Sequence, residues 1–262
     1  MKLSALVVTC NEANVLEDCL RSLSGISQLI VVDLESSDGS AEIARKFTQQ
    51  VYSHPKVPAV ELAIPDILHL IENEWFLRAD PDEVLPDGLI DGIFQSIENH
   101  PDAAIIEIPF EYYFLRRPLK TTAWGGIRHF PKVLNKNRIA VHKWVHAGIS
   151  PEEGFTVFQL PFNGHNAVRH YWIDSLEALR EKHERYLRLE GKSRHERGER
   201  FSWLKMAYKS ARYFLYSFLK MKGILGGRDG WFLSFFFAQY EARAWLSLRD
   251  FERRLEETPA HD

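Results

Sequence analysis

Cysteine is scarce in this chain of 262 residues: Cys10 and Cys19 are the only two. Two thiols in one short segment make no disulfide framework, which suits a reducing compartment. Long apolar runs are also missing, since no stretch approaches the roughly 18 consecutive apolar residues of a spanning helix. The opening "MKLSALVVTCNEAN" has one lysine, a short apolar run and no small-residue cleavage pattern. It reads as a first strand and not as a signal peptide, and a cytoplasmic location is expected. Excess charge of one sign is absent as well. Lys plus Arg is 33 against Asp plus Glu 36, a formal net charge of −3, so the composition carries no electrostatic footprint of nucleic-acid binding. Glycine is lacking where a phosphate-cradling loop would need it, because "TCNEAN" follows the first apolar run without one. There is no internal repeat or low-complexity stretch. With 45% hydrophobic and 26% charged residues, the chain reads as an ordinary soluble globular protein of one large domain or two small ones.

The first part alternates two periodicities. "ALVVTC" is a short continuous apolar run, as in a strand buried on both faces of a parallel sheet. "NEANVLEDCLRSLSG" then sets Leu16, Cys19, Leu20 and Leu23 at helical spacing, with Asn11 as the expected cap and Gly25 as the stop. "QLIVVDL" reads as a second buried strand ending at Asp33, "ESSDGS" as a turn capping the helix "AEIARKF", "VYSH" as a third strand and "EWFLRAD" as a fourth. Such alternation predicts an α/β fold with a mostly parallel sheet over residues 1–115. Ligands of such sheets bind beyond the carboxyl ends of the strands, where Thr9, Asn11, Asp33 and Asp80 fall. Residues 116–165 have the alternation and Gly-Gly and Asn-Lys-Asn turns of a β-rich extension, and residues 166–262 read as helical.

One stretch gathers acids. In "LRADPDEVLP", Pro81 pushes Asp80 out of the helical region, so "ADPD" is expected to be extended or turned. In an extended chain Asp80 and Asp82 share a face while Glu83 points elsewhere. Two carboxylates held together repel unless a cation sits between them or one is protonated, and a hard divalent ion is the economical partner. His165 and His170 have no partner at metal-ligand spacing, which argues against zinc.

The three blocks "ALVVTCNEANVLEDCLRSL", "LIVVDLESSDGSAEIARKF" and "EWFLRADPDEVLP" resemble, in this order, the start of an inverting glycosyltransferase of family 2, of the GT-A (Rossmann-like) fold. "HYWIDSLEALREKHERY" and "YFLYSFLKMKGILGGRDGWFLSFFFAQYEARAW" are similar to C-terminal blocks of the bacterial branch that includes the lipopolysaccharide-core glucosyltransferases. The resemblance implies base contacts from Thr9 and Asn11, and base and ribose contacts from Asp33 and Asp38. It also implies that Asp80 and Asp82 hold ribose and a divalent metal, magnesium or manganese, on the diphosphate of a UDP-sugar. The implied acceptor is a lipid-linked or cell-envelope glycan. The branch has a Val-His-Glu block where this chain reads "KWVHAGISPEE", so His146 is the candidate base or acceptor-orienting group, with Glu111, Glu152 and Glu153 as alternatives. An Arg-Asn pair facing the phosphates is replaced by Ile64 and Pro65, and Arg128 is the candidate for the missing positive charge. Two other readings compete with sugar transfer: a nucleotidyltransferase making nucleotide sugars, against which the missing glycine loop counts, and a non-catalytic nucleotide- or partner-binding scaffold.

Trp124, Gly125 and Gly126 read either as a sugar-stacking platform or as a turn beside a core tryptophan. From Phe201 to Arg228 the chain carries Lys205, Lys209, Arg212, Lys220, Lys222 and Arg228 without an acid, interleaved with aromatics. That pattern suits either a helix lying on an anionic bilayer, on the inner face of the plasma membrane, or one packed with its lysines in water.

Overall fold

The computed structural model describes residues 2–57, 60–141 and 149–257. The chain divides into two compact units, residues 1–111 with 127–171 and residues 112–126 with 172–262. These divisions differ from the sequence boundaries after residues 115 and 165, because the strands Ala103–Phe114 and Val168–Ile173 are each split between the units.

In the first unit the strands are β1 (Leu3–Thr9), β2 (Gln28–Asp33), β3 (Val51–Ser53), β4 (Trp75–Ala79), β5 (Glu83–Val84), β6 (Ala103–Phe114), then, past β7 of the second unit (Arg117–Pro118), β8 (Ile127–Asn135), β9 (Ile139–Val141), β10 (Ile149–Pro151), β11 (Thr156–Gln159) and β12 (Val168–Ile173). Its helices are α1 (Ala13–Ser22), α2 (Ser40–Ala44), α3 (Ile64–Ile67) and α4 (Leu89–Asn99). The main sheet runs β3-β2-β1-β4-β8-β6-β12-β5, with β11 beside β6. β1, β2, β3 and β4 pair in parallel, whereas β8 is antiparallel to both β4 and β6. The sequence expectation of strand and helix alternation is met in this half, as a mixed α/β sheet whose first four strands are parallel.

Period two explains the two-sided core. Leu3, Ala5 and Val7 of β1 face α1 and α4, meeting Leu16, Leu20, Leu89 and Ile93, while Leu6 and Val8 face the other way onto Ile64 and Ile67 of α3. Ile64 is fully buried there, so the position where phosphate-facing residues were expected serves the core. β1 lies between β2 and β4, and the chain leaves it in opposite directions along the sheet, which makes the carboxyl ends of these strands a switch point.

The second unit holds the helices α5 (Leu176–Glu196), α6 (Trp203–Leu215) and α7 (Gly227–Glu257). Serine caps two of them: Ser175 accepts from Ala178 N–H, and Ser202 from Lys205 N–H. α5 and α7 approach closely at Gly191, where any Cβ would collide with the Ser247 carbonyl oxygen. Arg194 of α5, only 7% exposed, forks onto Glu241 of α7 at 3.1 and 2.8 Å and bonds Glu190 at 2.8 Å. Trp124 stacks on Trp172, centroids 5.5 Å apart, and Trp172 on Phe237 at 5.9 Å. Gly125 has no room for a side chain against Thr121. The Trp-Gly-Gly stretch is thus a turn beside a core tryptophan. "WFLSFFFA" divides its apolar groups: Leu233 and Phe237 are buried, whereas Trp231 and Phe235 are exposed.

Candidate active site

The rim of the switch point is built from three strand ends. Thr9 and Asp33 lie abreast as the last pair of the β1–β2 ladder. Thr9 is buried, and its hydroxyl points at Glu12 Oε2, 3.5 Å away. Asp33 accepts Ser36 N–H on Oδ2 at 3.1 Å, while its Oδ1 is buried and accepts no hydrogen bond among the described residues. A buried carboxylate oxygen left unsatisfied costs free energy.

Asn11 and Asp38 hold the loops at this rim. Asn11 does not cap α1; it sits at φ 57°, a left-handed conformation that asparagine tolerates, and its Oδ1 accepts Ser37 N–H at 2.7 Å. Asp38 is exposed and clamps the same loop: Oδ1 accepts the Ser40 hydroxyl at 2.6 Å and N–H at 3.0 Å, and Oδ2 accepts Ala13 N–H at 2.9 Å. The Ser40 hydroxyl bond, with the Ala13 amide, holds the Asp38 carboxyl below the usual range. Asn11 and Asp38 together fix the loops that follow β1 and β2.

The acid stretch is a tight turn. Glu83 N–H donates to Asp80 O at 3.0 Å, with Pro81 at the position such turns favour. The turn brings Glu83 back, and its Oε2 accepts Asp80 N–H at 3.0 Å. The expectation that Glu83 points away is therefore corrected: it joins the cluster, and is 2% exposed.

Two later strands complete the site. Pairing of β6 with β8 moves from Ile106 opposite Val133 to Glu107 opposite Pro131, so Lys132 is the extra residue of a bulge beside a proline that has no N–H to pair. Its ammonium, almost wholly buried, donates to Asp80 Oδ2 at 2.7 Å and Glu83 Oε1 at 2.6 Å. β12 pairs with β5, which sets His170 opposite Glu83, and His170 Nε2 meets Asp82 Oδ2 at 3.1 Å. His170 has a carboxylate partner after all, 88 positions away in the chain.

Burial would raise the Asp80 carboxyl, but the Lys132 ammonium and Arg78 guanidinium hold it well below the ordinary range. Glu83, buried beside that negative charge, is pushed up to about 8. Burial disfavours charge on Lys132 and His170, yet the acids around them win and both are raised, Lys132 by Asp80 and Glu83, His170 chiefly by Asp82. Cys19 lies directly beneath, fully buried, its thiol donating to Asp80 O at 3.4 Å.

Arg128 lies on β8 opposite Phe110; since β8 runs antiparallel to β4, it falls toward the carboxyl end of β4. Of the base candidates, Glu152 and Glu153 are exposed in the turn after β10, Glu111 is on β6, and His146 lies outside the described residues.

In open α/β sheets ligands bind beyond the carboxyl ends of the strands at the switch point, where these polar groups converge. The sequence model described as "Glycosyl transferase family 2" matches residues 4–151, more than half of the chain. The chain belongs to glycosyltransferase family 2. An uncharacterized glycosyltransferase of Rickettsia conorii is 24% identical over 90% of this chain and 86% of its own length. One of Rickettsia prowazekii is 24% identical over 95% and 87%. Among solved structures, glucosyl-3-phosphoglycerate synthase from Mycobacterium tuberculosis, in complex with Mn2+ and UDP-glucose, aligns over 43% of this chain and 44% of its own at 18% identity and TM-score 0.37. S. aureus TarS in complex with UDP-GlcNAc aligns over 43% and 35% at 20% identity and TM-score 0.35. The chain spans less than half the length of either of these two proteins.

Proposed function

We propose that this glycosyltransferase moves a hexose from a nucleotide sugar, a UDP-sugar by preference, with inversion onto a lipid-linked or cell-envelope glycan, and that it needs magnesium or manganese. The observation that carries the reading is the rim itself, where the unsatisfied buried oxygen of Asp33 stands beside Thr9 and near the acid turn. Asp33 Oδ1 suits a ribose hydroxyl or a base N–H. The loops clamped by Asn11 and Asp38 keep that oxygen in place.

Among the described residues no three His, Cys, Asp or Glu side chains form a metal cage. An ion that keeps its waters and takes substrate phosphates needs only one or two protein ligands, however, and the adjacent Asp82 and His170 fit such an open site. Asp80 is the weaker ligand, because Lys132 occupies its Oδ2. The bound ion would supply charge stabilisation for the departing diphosphate. The Asp82 carboxylate raises the proton affinity of His170 against the cost of burial, and a metal there competes with that proton, so occupancy falls as pH is lowered. Lys132 holds the Asp80 carboxylate and the Glu83 carboxyl at fixed positions, and Arg128 supplies positive charge toward the same rim. His146 takes the proton from the acceptor hydroxyl.

The test is nucleoside diphosphate release from a panel of nucleotide sugars with and without manganese, with His146→Ala run in parallel. Metal-dependent release from one donor is expected, with slow donor hydrolysis surviving in His146→Ala while transfer is lost. Absence of turnover and of nucleotide binding across the panel overturns the reading; binding without turnover would favour the scaffold.

A further inference from the structure

The helix α6 and the segment after it turn apolar side chains outward. None of the residues of α6 is buried. Met206, Ser210, Tyr213 and Phe214 are half-buried and form its inner side, and Phe214 packs on Phe235 of α7 with centroids 4.7 Å apart. Leu204, Tyr208, Ala211 and Leu215, spaced i, i+4, i+7 and i+11, form a row on the opposite side. Leu204 is 80% exposed, and the apolar surface continues through Leu219 to Leu225, 75% exposed. Single exposed leucines are ordinary, but a continuous row marks an interaction surface.

A second row, Lys205, Lys209 and Arg212, runs beside the first at the same spacing. Neither these three nor Lys222 and Arg228 makes an ion pair among the described residues. On α5 and α7, by contrast, Arg194 is bonded to Glu190 and Glu241, Arg243 to Glu184, and Arg249 to Asp250. Among the described residues the basic row of α6 is thus left without ion-pair partners directly beside exposed leucines, which the ion-paired arginines of α5 and α7 are not.

We propose that the outward face of α6, with the turn that follows it to Leu225, is a docking surface for an anionic lipid bilayer. The helix lies flat, with Leu204, Leu215 and Leu219 in the acyl boundary and the lysines reaching headgroup phosphates on their flexible stems. Trp203, 61% exposed, and Tyr208 suit the interfacial layer. Charge decides against a second copy of the chain as occupant, since self-docking would press the two basic rows together. No helix among the described residues is long and apolar enough to cross a membrane, so the contact is interfacial.

The test is sedimentation of the full chain with phosphatidylcholine vesicles, with and without phosphatidylglycerol. Binding is expected only with phosphatidylglycerol, and is released as salt shortens the screening length to about 3 Å. Lys205→Gln with Lys209→Gln should weaken it about thirtyfold. Leu204→Glu with Leu215→Glu should abolish it, with the melting temperature and the donor turnover of both variants unchanged. No sedimentation with phosphatidylglycerol at low salt overturns the proposal, as does binding that both variants leave intact. A dimer that the Leu→Glu pair dissolves, with no vesicle binding, assigns the face to self-association and overturns it too.

Discussion

Two sets of lysines show how differently one side chain is used in the two units. Lys132 in the first is almost wholly buried and committed to two carboxylates at 2.7 and 2.6 Å. Lys205 and Lys209 in the second are exposed and make no ion pair among the described residues. A buried ammonium is tolerable only with close partners, and such partners fix its position. An exposed one costs little to leave free and remains available to something outside the chain. The first kind organises a site, and the second presents a surface.

The sharpest way to break this contrast is to remove the buried charge. Lys132→Met leaves the buried Asp80 carboxylate without its ammonium partner and should cost about 3–5 kcal/mol of stability. Denaturant melts of the two proteins measure it, and equal midpoints would mean the cluster is not held by the ammonium. Next is Asp82→Asn, which keeps the fold but removes the charge next to His170. It should lower turnover by roughly two to three orders of magnitude, read in steady-state assays. Wild-type activity in that variant, together with indifference to EDTA, would remove the metal from the reaction.

A smaller effect concerns acidity. Glu83 is raised from its usual 4.5 to about 8. Between those values the folded protein holds a proton that the unfolded chain has released, so this residue makes stability fall as pH rises from about 4.5 to about 8. Glu83→Gln cannot titrate, and its stability measured across that window should decline less than the wild type's. A steeper decline in the variant would contradict the assignment. The smallest effect belongs to the exposed side of the comparison: Lys205→Gln with Lys209→Gln should change stability by no more than about 0.5 kcal/mol. A larger loss would show that these lysines do structural work after all.

How much of this could be read from the sequence depends on distance along the chain. β1, β2 and β4 carry local apolar runs, and Thr9, Asp33 and Asp80 end them, so the rim was legible from short segments. Glu83 escapes a reading from the sequence because a proline suits both an extended chain and a turn, and here Pro81 sits in a turn that brings the glutamate back. Asn11 matched the pattern of a helix cap, but its φ of 57° points its amide at the neighbouring loop. Lys132 and His170 were invisible for another reason. One is delivered by a bulge and the other by a strand paired with β5, and neither register is written in nearby residues. Local spacing gives His170 no partner, because that criterion is blind to one brought in by sheet pairing.

Cys19, sealed below the acid turn, turns this arrangement into something a chemist can time. Burial and the negative charges of Glu83 and Asp80 keep its thiol protonated well above the ordinary range, and alkylating reagents react with thiolates. The label can attach only when the floor of the site opens, so the rate of its uptake is a clock for that opening. Cys10, the only other thiol, is half-buried at the end of β1 and gives an internal reference in the same mass spectrum. A nucleotide sugar that settles on the rim should slow the Cys19 clock while leaving the folded chain otherwise unchanged.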